Sequence, residues 1–118
     1  MNLIKLLAHD NFILVNKDLM HEIGLEETIL LGELCNEYNY WKAKDQIDEN
    51  GYFYSTIDNI EKATTFKAKK QKKILDNLQE LNIVDVKLKS MPAKRYIKII
   101  ENTLNDLIKP TNNENIYY

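Results

Sequence analysis

The sequence predicts an α+β domain, mainly α, from three observations. Apolar residues recur at helical spacing before residue 40 and again between residues 66 and 81. After Asn82 the period changes: Val84, Val86 and Leu88 alternate with Asp85, Lys87 and Lys89, as in a half-buried strand. A break at residues 90–93 separates that run from a second β-rich run at 95–100, so the two form a hairpin. The length, 118 residues, fits one domain at roughly 100–200 residues each.

The elements follow in order. Phe12 to Val15 reads as a short buried strand or an extended arm. Asn16 stands where a helix N-cap belongs, ahead of Leu19, Met20 and Ile23 on one face, and Gly24 fits the left-handed position that ends a helix. A second helix is expected from about Glu26 to about Tyr40, carried by Ile29, Leu30, Leu34 and Tyr38, with two glutamates in the first turn where the helix dipole favours them. Asp48-Glu49-Asn50-Gly51 is a turn, and Tyr52-Phe53-Tyr54 a short strand. Ser55 or Thr56 caps a helix bearing Ile57 and Ile60 that ends near Thr64-Thr65. A longer helix begins near Phe66 or Lys67 and runs to about Leu81. Beyond the hairpin, Leu104, Leu107 and Ile108 mark a short last helix stopped by Pro110.

This order is that of a winged helix-turn-helix with an N-terminal arm and helix and a two- to three-stranded antiparallel wing sheet. The domain spans residues 1–109: arm and first helix 1–24, winged core 25–100, and C-terminal helix 101–109. Residues 110–118 form a polar, Asn-rich tail or linker.

Charge is distributed unevenly. The total is −2, yet residues 1–61 carry −8, residues 62–98 carry +8 and residues 99–118 carry −2. A polyanion responds to the face it meets rather than to the total, so the central block points to nucleic acid. Five lysines lie in the seven residues 67–73, with no acid among them. At about 100° per residue, Gln71, Ile74, Leu75 and Leu78 share the inward face, Lys69 and Lys73 lie opposite, and Lys70 and Lys72 flank them. Asp76 and Glu80 come only later. Cations at a helix N-terminus, repelling one another at i,i+3 and i,i+4, work against helix stability, so a merely solvated face would not need them. Lys87, Lys89, Lys94, Arg95 and Lys98 make a second basic group around Met91-Pro92. There a wing reaches phosphates or a narrow minor groove, and charges also blunt a sheet edge. Both basic groups are expected on one exposed surface.

Other chemistry is weakly signalled. Tyr38, Tyr40, Trp41, Tyr52, Phe53 and Tyr54 could stack on unpaired bases, but their place in the acidic half favours the core. His9 and His21 match no metal spacing, and Asp45, Asp48 and Glu49 do not match a calcium loop. Cys35, the single cysteine, reads as a small hydrophobe and excludes an internal disulfide. The longest apolar runs, residues 12–15 and 28–31, fall far short of the roughly 20 residues that span a bilayer, and residues 1–10 make a poor signal peptide. The expectation is a cytoplasmic, non-enzymatic protein with no catalytic residues, no cofactor, no metal and no membrane partner.

The run from Lys69 through Leu81-Asn82-Ile83-Val84, followed by Met91-Pro92-Ala93-Lys94-Arg95-Tyr96, resembles the recognition helix and wing of winged-helix replication initiators of bacterial phages and plasmids. These are the phage replisome organisers and the plasmid initiators of the RepA N-terminal type. The segment Ile47 to Tyr54, followed by Thr56-Ile57, is similar to the plasmid initiators. The likeness covers about residues 12–100. It departs at Asn82 and Ser90, where glycine is common, and asparagine still accepts a left-handed backbone. The resemblance implies origin recognition on double-stranded DNA, with host replication proteins met through a C-terminal region that this chain lacks.

The expected contacts are Thr65, Lys67, Lys69, Lys70, Lys72 and Lys73 from the long helix, and Lys89, Lys94 and Arg95 from the wing. Gln71 points inward and is the doubtful contact. Neutralising about five phosphates predicts a salt slope of about −4 to −5. Two alternatives stay open: a transcriptional regulator of the same fold, and a replisome interaction module working through its acidic half. Paired half-sites would suit a homodimer formed through the arm or the last helix.

Overall fold

The structure is a computed structural model that describes residues 12–89 and 91–108. The expectations for residues 1–11, Ser90, the Pro110 stop and the polar tail lie outside the described residues.

Helix α1 (Lys17–Ile23) starts where Asn16 Oδ1 accepts the Leu19 amide at 2.9 Å. Gly24, at φ +106°, ends α1 and at once begins α2 (Leu25–Ala43), a backbone path that a side chain would strain. The Thr28 hydroxyl donates to the Gly24 carbonyl at 2.7 Å and ties the corner. Helix α2 runs past Tyr40 because Trp41 is half-buried against the core. Asp48 then organises the turn: its Oδ1 accepts from the amides of Asn50 at 2.8 Å and Tyr52 at 2.9 Å and delivers the chain into β1 (Tyr52–Tyr54).

Thr56 caps α3 (Ile57–Thr64) by accepting the Asn59 amide at 3.1 Å. Thr65 adopts a left-handed conformation, φ +69°, and turns the chain into α4 (Ala68–Glu80). Asn82, at φ +60°, makes the left-handed exit from α4 that its side chain tolerates. Strands β2 (Val84–Lys89) and β3 (Lys94–Ile99) form the hairpin, and α5 (Glu101–Leu107) packs half-buried Leu104 and Leu107 against the core.

The sheet is antiparallel in the order β1-β3-β2. Its register aligns Phe53, Ile97 and Val86 on the side facing the helices. There Phe53 and Ile97 meet Leu30 and Leu34 of α2, Ile60 of α3, and Ile74 and Leu78 of α4, all at most 1% exposed. Burying each such side chain contributes about 1.5–3 kcal/mol, so the sheet and helices α2–α4 form one core.

Phe12 to Val15 forms no strand, which corrects the buried-strand alternative. Phe12, Ile13 and Leu14 are exposed, and they line a shallow groove against Ile29 and Gly32 of α2. Residues 12–15 pair with neither outer strand of the sheet and lie against α2 instead.

Candidate nucleic-acid interface

The turn of α4 sorts its residues as a 3.6-residue period requires. Gln71, Ile74, Leu75 and Leu78 are buried, and Lys67, Lys69, Lys70, Lys72 and Lys73 are exposed. No acidic residue occupies the first turn, and Lys67 stands at the N-cap without a capping side chain. Tertiary contacts then distinguish the lysines. Lys70 reaches Glu26 in the first turn of α2 at 2.7 Å, and Lys72 pairs with Asp76 one turn on at 3.0 Å. Both pairs are solvent-exposed and of the kind worth at most about 1 kcal/mol, so a phosphate can displace the carboxylate. Among the described residues, Lys67, Lys69 and Lys73 form no ion pair. Thr65 is exposed at the bend just ahead of them.

Gln71 is fully buried and serves the fold. Its Nε2 donates to the carbonyls of Ile57 at 2.9 Å and Phe66 at 2.7 Å, which fixes the angle between α3 and α4. Its Oε1 accepts Arg95 Nη1 at 3.0 Å. Arg95, expected at the wing's outer contact surface, is half-buried. Its Nε donates to the Ser55 carbonyl at 3.1 Å, and its Nη2 to Ser55 Oγ at 3.4 Å. Ser55 Oγ in turn donates to Glu37 of α2 at 2.6 Å. Strand alternation explains the placement: Arg95 shares the inward side of β3 with Ile97. Burial lowers the Arg95 guanidinium from its ordinary value, which Glu37 opposes. Burial likewise raises the Glu37 carboxyl, against the Ser55 hydrogen bond and the Arg95 charge.

A groove of about 600 Å³ lies between α4 and the hairpin. Ile57, Leu75, Val86 and Leu88 give it apolar walls, flanked by exposed Lys69 and Lys72.

The wing lysines do not join the α4 lysines on one face, as the sequence reading expected. The pleat that turns Arg95 and Leu88 toward α4 sends Lys87, Lys89, Lys94 and Lys98 to the other side of the sheet. Lys89 and Lys94, both expected as duplex contacts, lie there over tyrosine rings, Lys89 5.0 Å from the centroid of Tyr96 and Lys94 5.8 Å from that of Tyr54. Lys89 also reaches Asp48 at 3.4 Å. Tyr52 is buried on this face beneath Lys87, at 4.6 Å, and its hydroxyl donates to Asp85, which raises the phenol's pKa. The aromatic group of the acidic half thus divides. Phe53 is core, Tyr38 packs edge-on against it, Tyr40 is exposed, and Tyr52 and Tyr54 face the lysines of the hairpin. Tyr96 was missed from sequence, although its alternation with Lys94 and Lys98 was the available signal.

Among the described residues no group of three His, Cys, Asp or Glu side chains comes together to hold a metal, and no helix is long and apolar enough to cross a membrane. Half-buried Cys35 has its thiol pKa raised, first by burial and then by Glu101.

The arrangement is similar to that of two solved structures. One is the N-terminal domain of a DNA-binding protein, with a TM-score of 0.61 and 16% identity over 93% of this chain and 97% of that one. The other is a chain of a Rep–DNA complex, with a TM-score of 0.60 and 16% identity over 94% of this chain and 98% of that one. The fold is an α+β winged helix. At 16% identity the likeness is one of fold. No protein-family model and no curated protein matches the sequence.

Proposed function

We propose that the protein binds double-stranded DNA by laying the N-terminal half of α4 in a major groove, and that its task is origin recognition in phage or plasmid replication. One observation carries the reading: Lys67, Lys69 and Lys73 are exposed, form no ion pair among the described residues, and lie in the N-terminal half of α4, with Lys67 and Lys69 at the end where the dipole disfavours cations. A polyanion is the ligand that turns this cost into binding energy. The likeness in fold to a chain of a Rep–DNA complex, and the resemblance of the Met91–Tyr96 wing to replication initiators, support the replicative role.

Lys67, Lys69, Lys72 and Lys73 contact phosphates or guanine edges in this reading, with Thr65 at the groove's lip. Lys70 would have to leave Glu26 and contributes less, and Arg95 holds the wing against α4 rather than touching DNA. Because Lys89 and Lys94 lie on the far side of the sheet, the duplex contacts number about four, and the expected salt slope becomes about −3.6. Two copies on paired half-sites would meet through the exposed apolar arm at Phe12, Ile13 and Leu14.

The test is fluorescence anisotropy on duplexes tiled across the replicon that carries the gene, at several salt concentrations. Lys69→Glu with Lys73→Glu is expected to weaken binding at least about tenfold. The melting temperature should not fall, because both side chains are exposed and acids suit the start of a helix. Unchanged affinity would overturn the site. Protection of a promoter alone, with plasmid maintenance intact after deletion, would overturn the replicative role.

A further inference from the structure

The sequence reading puts Tyr52 and Tyr54 in the acidic half of the chain, where a nucleic-acid strand would be repelled. The sheet reverses that setting. Pairing of β1 with β3 places Tyr52 opposite Lys98 and Tyr54 opposite Tyr96, and pairing of β2 with β3 places Lys87 opposite Tyr96. All of them share the face turned away from the helices. The Tyr54 and Tyr96 rings lie side by side, with centroids 5.6 Å apart and planes inclined by 41°, and both are half-buried.

The lysines on this face are arranged at a cost. Lys89 and Lys94 are directly opposite partners across β2 and β3, and like charges so placed destabilise a sheet. Lys87 adds a third positive charge two residues from Lys89 on the same face. Two carboxylates lie near these charges: Asp48 pairs with Lys89, and Asp85 accepts the Tyr52 hydroxyl. Cation–π contacts do not require two lysines face to face, whereas a row of phosphates offers each of them a partner.

We propose that this outer face is a second binding site and that it takes single-stranded DNA. The choice of a single strand follows from the rings. A duplex hides the faces of its bases, while an unpaired strand presents them to an aromatic side chain. Bases stack on Tyr54 and Tyr96. The exposed Lys87, Lys89 and Lys94 swing their stems off the rings, a motion of picoseconds to nanoseconds, and their ammonium groups meet the phosphates between the bases. Sequence selectivity is weak, since every base has a π face. This site is independent of the duplex reading: it uses neither α4 nor the groove, and either can fail alone.

The experiment titrates a fluorescein-labelled oligothymidylate of about 12 nucleotides with the full chain and follows anisotropy. The expected salt slope is about −2, for about three phosphates of a single strand. Lys89→Glu with Lys94→Glu is expected to weaken binding at least about tenfold, whereas Lys69→Gln with Lys73→Gln leaves it within about threefold. Tyr54→Leu and Tyr96→Leu are each expected to lose at least about fivefold, and Tyr96→Phe to retain affinity. Should the leucine variants misfold by circular dichroism, ultraviolet cross-linking of the same oligonucleotide to the unaltered chain decides the matter. Cross-links within residues 52–54 or 94–99 support the site. Absence of binding at low salt, an affinity that follows the α4 variants instead, or cross-links confined to residues 67–80 overturns it.

Discussion

Thr65 holds a backbone conformation that its own side chain opposes. A β-branched side chain at φ +69° crowds its own backbone, and left-handed geometry costs an L-residue about 1–2 kcal/mol. The turn between α3 and α4 demands that geometry, and asparagine or glycine would satisfy it with less strain. Thr65 is exposed there, and strained backbone is found where residues meet ligands. Thr65→Asn is expected to raise stability by about 0.5–1 kcal/mol, read as a higher urea midpoint. A midpoint that stays or falls would show that the turn carries no such strain. Gln71 presents the opposite case: a polar residue inside a lysine-rich stretch that is wholly internal, with each amide atom occupied by a neighbour from another element.

At the level of the element, α4 is a helix built against its own dipole. Its N-cap is Lys67, no acid follows in the first turn, and its four other lysines lie within the first six residues. The apolar face at Ile74, Leu75 and Leu78 holds it in place regardless, since packing of an amphipathic face outweighs terminal electrostatics. Lys67→Ser supplies a side-chain cap and removes a charge, and is expected to stabilise the protein by about 0.5–2 kcal/mol. The same change should weaken duplex binding and reduce the salt slope by about 0.9. Thermal melts and salt titrations of the one variant measure both. A gain in stability with an unchanged slope would remove Lys67 from the interface.

At the level of the whole molecule, the Glu37–Ser55–Arg95–Gln71 chain fastens α2, the loop after β1, the hairpin and α4 together. Its ionisation gives folding a pH dependence. Glu37 has a higher pKa folded than its ordinary 4.5, so the folded protein holds the proton longer than the unfolded chain does. Stability therefore falls as pH rises from 4.5 toward the folded value and is recovered on acidification through the same window. Glu37→Gln keeps a polar partner for Ser55 and is expected to flatten that slope, measured as urea midpoints between about pH 4 and about pH 7. Asp48 acts in the other direction. The Tyr52 and Asn50 amides and Lys89 hold its pKa below the ordinary 3.8, so its contribution is lost only as pH falls below that value. A variant whose midpoints follow those of the parent protein across the upper window would show that Glu37 is not the titrating group.

Features that one segment sets by itself were legible in the sequence. Asn16 and Thr56 cap the helices they precede, Asn82 makes the left-handed exit from α4, and the helical period alone turns Gln71 inward and Lys69 and Lys73 outward. Such patterns depend on neighbours within about four residues, which the sequence displays directly. What only the tertiary structure decided depends on partners far along the chain. Lys70 meets Glu26 at a separation of 44 residues, and Arg95 meets Ser55 at a separation of 40. A strand shows its alternation in the sequence but not which side is inward. That side is fixed when β3 settles between β1 and β2 over the helices. The same event buried Arg95, parted the wing lysines from α4, and set tyrosines of the acidic half beneath lysines of the basic one.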